Sequence, residues 1–178
     1  MSIFSEDQTR ERCPDCGVEL PGGATTRHPY LGASPSCWEV YNQVLAREYS
    51  SPALMRSIHR LTVDAYAAQH PGKPERRAIQ SVWAHLVSLH LTLDRELAHD
   101  FARRIIGALT ENAQALEWLA PPAKLGDLTI VEVAAAPDEG VHEQLVRRWA
   151  RDVWHAWEPH HAAVKAVASR LLATLAGR

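Results

Sequence analysis

The sequence predicts an all-α protein, a helical bundle with a metal-binding loop at its N-terminal end. Three observations carry this reading. Ser-Pro and Pro-Glu pairs mark helix starts along the chain, and the apolar residues between them recur at helical spacing. Near the N-terminus, Cys13-Pro14-Asp15-Cys16-Gly17 forms a CxxC turn that points two thiolates at one ion.

The elements follow in order. Residues 1–12 are polar and charged and read as a frayed tail, and 13–33 as the knuckle with its Pro/Gly-rich loop. Residues 1–33 thus precede a helical bundle over 34–178, in one compact domain. Ser34-Pro35 and Ser51-Pro52 place a capping residue before a first-turn proline, predicting helices over 35–49 and 52–70, and Pro71-Gly72 ends the second. Pro74-Glu75 opens a third helix that runs to Leu93, with Ile79, Val82, Trp83, Leu86, Leu89 and Leu93 on its core face. A fourth over 95–109 carries Leu97, Phe101, Ile105 and Leu109, and Ala120 to Gly126 is a loop. Thr129 and Glu132 fit the capping box of a short helix, while the β-branched run Thr129-Ile130-Val131 leaves a strand open. Pro137 opens a long helix to Trp157, and Pro159 the last one, which ends at Gly177.

Composition excludes several classes. Nineteen basic against twenty-one acidic residues give a net charge of −2, too little field to favour nucleic acid or an anionic membrane surface. No apolar run approaches the ~20 residues of a membrane span, and the first residues lack a signal-peptide stretch, so a cytoplasmic protein is expected. Ten histidines and six tryptophans direct attention to sites.

Three cysteines, Cys13, Cys16 and Cys37, make a disulfide framework improbable in a reducing compartment. A thioredoxin-type motif would need a helix running on from the CxxC, but Pro21-Gly22-Gly23 breaks one. Structural zinc wants four ligands, and Cys37 and His28 are the nearest candidates to complete the set. Two other roles for Cys37 are a buried small hydrophobe and a reactive thiolate at a helix N-terminus. His70, which ends its helix beside the Pro-Gly turn, is a rival to His28.

His59, Tyr66 and His70 share one helix stripe, but His59 and His70 lie roughly 16 Å apart along the axis and cannot share an ion. In an antiparallel hairpin centred near residue 72, His59 lies level with His85. That pair, with Asp64, His70 or His142 nearby, is a candidate second metal or catalytic site in the bundle interior. The alternative is that each is a satisfied polar residue, with Asp64 pairing with Arg60 on its own helix. Glu96 with His99 and Glu139 with His142 have the ExxH spacing of carboxylate-bridged di-iron bundles, but only Glu48 and Asp64 offer the further carboxylates. Val146, Trp149, Val153 and Trp157 form a core face, with an aromatic-walled pocket near His160 or His161 as the sharper alternative.

The blocks Cys13 to Gly17, His28 to Trp38, His59 to Gly72 and Arg148 to His161 resemble an uncharacterised family of small bacterial helical proteins of unknown function, over about residues 13–165. The resemblance implies a shared fold and that these polar blocks belong together. It brings no activity, and it does not say whether His28 or His70 completes the knuckle.

Two functions are carried forward. One is a zinc protein whose ion ties the loop to the bundle, with a second histidine-rich site at His59 and His85 for metal-assisted hydrolysis or transfer. The other is a non-enzymatic module presenting the zinc loop and Trp-rich helix to a protein or small-molecule partner.

Overall fold

The computed structural model describes residues 10–97, 104–107, 109 and 116–176, and it is mostly helical. Two short strands, β1 (Arg10–Arg12) and β2 (Glu19–Pro21), are followed by α1 (Pro35–Tyr49), α2 (Pro52–Ser57), α3 (His59–Gln69) and α4 (Arg76–Leu93). After them come α5 (Ile130–Ala134), α6 (Glu139–Ala156), a 3-10 turn at Glu158–His160 and α7 (His161–Ala176). The chain is also helical at 104–107; of the helix expected over 95–109, residues 95–97 are not helical, and 98–103, His99 included, and 108 lie outside the described residues.

Capping explains most boundaries. Ser34 Oγ accepts from Cys37 N–H at 3.2 Å, Ser51 Oγ from Leu54 N–H at 3.3 Å, and Asp138 Oδ1 from Val141 N–H at 2.9 Å. Thr129 and Glu132 form the expected capping box, so this segment starts a helix and the strand reading falls. Two expectations change. The tail is not frayed from residue 10, because Arg10–Arg12 pairs antiparallel with Glu19–Pro21, Arg12 opposite Glu19. The helix over 52–70 breaks at Ile58, whose φ of −140° takes it out of the helix while its side chain is fully buried. Arg147 secures the break by donating to Ser57 O at 3.4 Å.

Helix α3 is the centre of the bundle, packed against α4 on one side and α6 on the other, with α1 against α5 and α4 against α7. Leu61, Thr62, Asp64 to Ala68 and Gln69 are all buried. A helix buried all round needs small residues where its neighbours cross, and Ala65, Ala67 and Ala68 supply them. Gln69 ties three elements together. Its amide donates to Leu125 O and Leu128 O at 3.0 and 2.7 Å and accepts from Trp149 Nε1–H at 3.1 Å. Trp149 and Trp157 are fully buried, the latter donating to Ala68 O at 3.0 Å, so these rings fill the core instead of walling a pocket.

Candidate metal centre

The N-terminal loop is shaped by its own backbone before it meets the bundle. Gly17 N–H donates to Cys13 O at 3.0 Å and Cys13 N–H to Val18 O at 2.8 Å, closing the knuckle. The turn needs φ of +75° at Gly17, the left-handed region that side chains disfavour. Cys37 comes from the first turn of α1, and His70 caps the C-terminus of α3.

These elements bring Cys13, Cys16, Cys37 and His70 together, one donor atom from each lying within 4.8 Å of the others. Cys13, Cys37 and His70 are fully buried. Cys16 Sγ lies 3.9 Å from Cys37 Sγ, which in turn lies 3.5 Å from His70 Nε2. With metal–sulfur bonds near 2.3 Å and a metal–nitrogen bond near 2.0 Å, the corners of a tetrahedron fall about 3.8 and 3.5 Å apart. Both distances match two corners of such a tetrahedron, and the group could hold a metal ion. His70 Nδ1–H donates to Tyr66 O at 2.8 Å, which turns Nε2 towards the sulfurs, the outer hydrogen bond expected of a metal-binding histidine. Ser34 N–H donates to Cys13 Sγ at 3.4 Å and Tyr66 O–H to Cys37 Sγ at 3.6 Å, so the sulfur charge is also met by neutral donors.

Asp15, inside the knuckle, explains why His70 arrives here. Its Oδ2 accepts from Gly72 N–H at 2.9 Å, clamping the turn after α3 onto the loop. Both glycines at this junction are required by space. A Cβ on Gly32 would sit 1.9 Å from Asp15 Oδ2, and one on Gly72, where φ is +71°, only 2.3 Å from Tyr30 O.

His28, expected as the fourth ligand, lies outside the cluster. Its Nδ1 accepts from Leu31 N–H at 3.1 Å, and its ring packs against Tyr30 and Trp38 at centroid distances of 4.4 and 4.7 Å. It organises the loop, and burial pulls its pKa down. The nearness of His28 in sequence misled; the signal for His70 was its place beside the Pro71-Gly72 turn.

Electrostatics favour a cation here. Hydrogen bonds from Cys16 and Cys37, then the neighbouring His70, hold the Cys13 thiol far below its usual range. Cys37 is driven the other way, first by its hydrogen bond to Cys13 and then by Cys16 and burial. Three sulfurs in contact cannot all ionise without a positive partner. Burial alone would lower His70, but hydrogen bonds to Cys13 and Cys16 and their charge hold it up, to about 10. A metal ion would replace these protons.

The second site expected at His59 and His85 does not converge. His59 Nδ1 lies 2.7 Å from Glu48 Oε2, and His85 Nδ1 lies 2.8 Å from Asp64 Oδ1. The contacts of Asp64 with His85 and of Arg60 with Ser88 put the hairpin centre near residue 74, because the Pro71-to-Pro74 loop adds residues before α4. His59 is thereby moved one turn along α4 from His85. His142, the third candidate, joins His59 at Glu48 instead, its Nε2 3.0 Å from Oε1. Among the described residues no second group of three such side chains gathers as metal ligands do. Asp64 does pair with Arg60 as expected, at 2.9 Å, but as a fully buried carboxylate.

Glu48 is the residue that sequence reasoning undervalued. Fully buried on α1, it accepts from His142, His59 and, at 2.5 Å, Thr62 Oγ1. Burial would raise its pKa, yet these three donors hold it below the usual carboxylate range. His142 Nε2–H donates to it, and its buried Nδ1 has no hydrogen-bond partner among the described residues.

No curated protein and no solved structure matches the chain. Residues 11–158, which include the four clustered side chains and the carboxylate–histidine groups at Glu48 and Asp64, match a family described as a family of unknown function (DUF5946), and the chain belongs to that family.

Proposed function

We propose that Cys13, Cys16, Cys37 and His70 hold one zinc ion and that its work is structural. The observation that supports this is the donor set: three sulfurs and one imidazole, all but Cys16 fully buried, would fill the four positions of a tetrahedral ion and leave none for water or substrate. The ion fastens β1, β2 and the loop after them to the start of α1 and the end of α3. A thiolate-rich centre of this kind suits a reducing compartment, and we assign the protein to the cytoplasm. No helix of the described residues is long and apolar enough to cross a membrane.

With the ion closed off, any chemistry on a substrate falls to the carboxylate–histidine groups. Burial of Trp149 and Trp157 weighs against the Trp-rich helix as a partner surface. Elemental analysis of the purified chain and two variants tests the zinc assignment. One zinc per chain is expected, retained by His28→Ala and lost by His70→Ala. Retention by His70→Ala, or loss by His28→Ala alone, would overturn it.

A further inference from the structure

A cleft of about 380 Å3 opens beside α4, with Arg77, Ser81 and His85 along one side at four-residue spacing, so that they stand one above another on a single helix face. Tyr30, from the loop pinned by the metal centre, forms part of the opposing wall. Each of the three α4 residues has capacity to spare. His85 is oriented from behind: its Nδ1 meets Asp64, a fully buried carboxylate that also accepts from Arg60 Nε and Nη2 and from the Ser88 hydroxyl. With Nδ1 engaged by Asp64, Nε2 is the ring nitrogen left for a ligand. Ser81 also lines the cleft, and its buried Oγ has no hydrogen-bond partner among the described residues, so a change of side-chain rotamer would bring it to a bound group without breaking a hydrogen bond. Arg77 is exposed and makes no ion pair among the described residues.

We propose that this cleft binds a small molecule through its phosphate group. Arg77 supplies the charge, Ser81 a hydroxyl donor and Gln80 an amide, while His85 Nε2 accepts the proton of a singly protonated phosphate or, once protonated, donates to the dianion. The Asp64–His85 pair also has the form of a general base held in one tautomer, placed where it would touch the ligand. The inference does not depend on the identity of the metal.

The test uses the full-length, metal-loaded chain and follows the imidazole 15N and 1H resonances while inorganic phosphate is added at constant ionic strength. A saturable shift at His85 but not at His59 is expected. Arg77→Ala should weaken binding by roughly tenfold or more and Ser81→Ala several-fold. Both variants should melt at or above the native temperature, since one change is on the surface and the other removes an unpartnered hydroxyl. Tighter binding of phenyl phosphate would assign a monoester as the source; equal or weaker binding would assign free phosphate. A shift that does not saturate, that chloride reproduces, or that both substitutions leave unchanged would overturn the proposal.

Discussion

Replacing Cys37 with serine is expected to release the zinc and to lower the melting temperature by at least about 7 °C. Structural zinc contributes on the order of 10 kcal/mol to small modules. If even a third of that reaches this chain, ~2–4 °C per kcal/mol for a protein of this size gives the stated shift. Cys37 is the residue to change because it touches Cys16, His70 and the Tyr66 hydroxyl at once. The loss should be uneven. The bundle keeps Trp149, Trp157 and the apolar face of α4, whereas β1, β2 and the loop hold few buried apolar side chains of their own. Far-ultraviolet circular dichroism should therefore retain most of its helical signal while trypsin cuts at Arg12 and Arg27 at least about tenfold faster. Chelation of the native protein should give the same pattern. Unchanged cleavage in the zinc-free protein would mean that the loop is held by packing alone.

Glu48→Ala is expected to cost about 3–5 kcal/mol, the usual loss when one member of a buried charged network is removed. Two imidazoles and the Thr62 hydroxyl would lose their acceptor, and His142 is fully buried and already lacks a partner at Nδ1. Glu48→Gln should cost less, since it keeps the shape and one accepting oxygen but sets an amide donor against a donor. The pH dependence has a definite sign. Because the folded pKa of Glu48 lies below its unfolded value, its contribution is complete above the usual glutamate range and is lost as pH falls through the depressed value. Urea denaturation of native protein and Glu48→Gln over pH 3–7 checks this. Their difference should shrink on acidification below the ordinary glutamate pKa of about 4.5, and a difference constant across the range would contradict the assignment.

Most of the fold was legible because its punctuation is local. Ser34-Pro35, Ser51-Pro52 and the Thr129–Glu132 box each place a cap where the structure has one. The β1–β2 ribbon was not legible, since three-residue strands carry no period and owe their pairing to the knuckle turn between them. The break at Ile58 was hidden for a similar reason: the carbonyl of Ser57 before it is met by Arg147, 90 positions from Ser57. At the metal centre the three sulfurs could be gathered from motif and spacing, whereas the imidazole could not. The choice between His28 and His70 rests on Asp15 reaching across to Gly72, a contact between residues 57 positions apart. The histidine pairing failed by one helical turn because it assumed a symmetric hairpin, and loop asymmetry of two residues is enough to exchange one carboxylate partner for another.

X-ray absorption at the zinc edge, on the chain as purified, tests the central claim most directly. Three sulfurs at about 2.3 Å and one nitrogen at about 2.0 Å are expected, with the same shells in His28→Ala. A shell with fewer than three sulfurs, or an unfilled position taken by water oxygen, would contradict a closed structural site at Cys13, Cys16, Cys37 and His70.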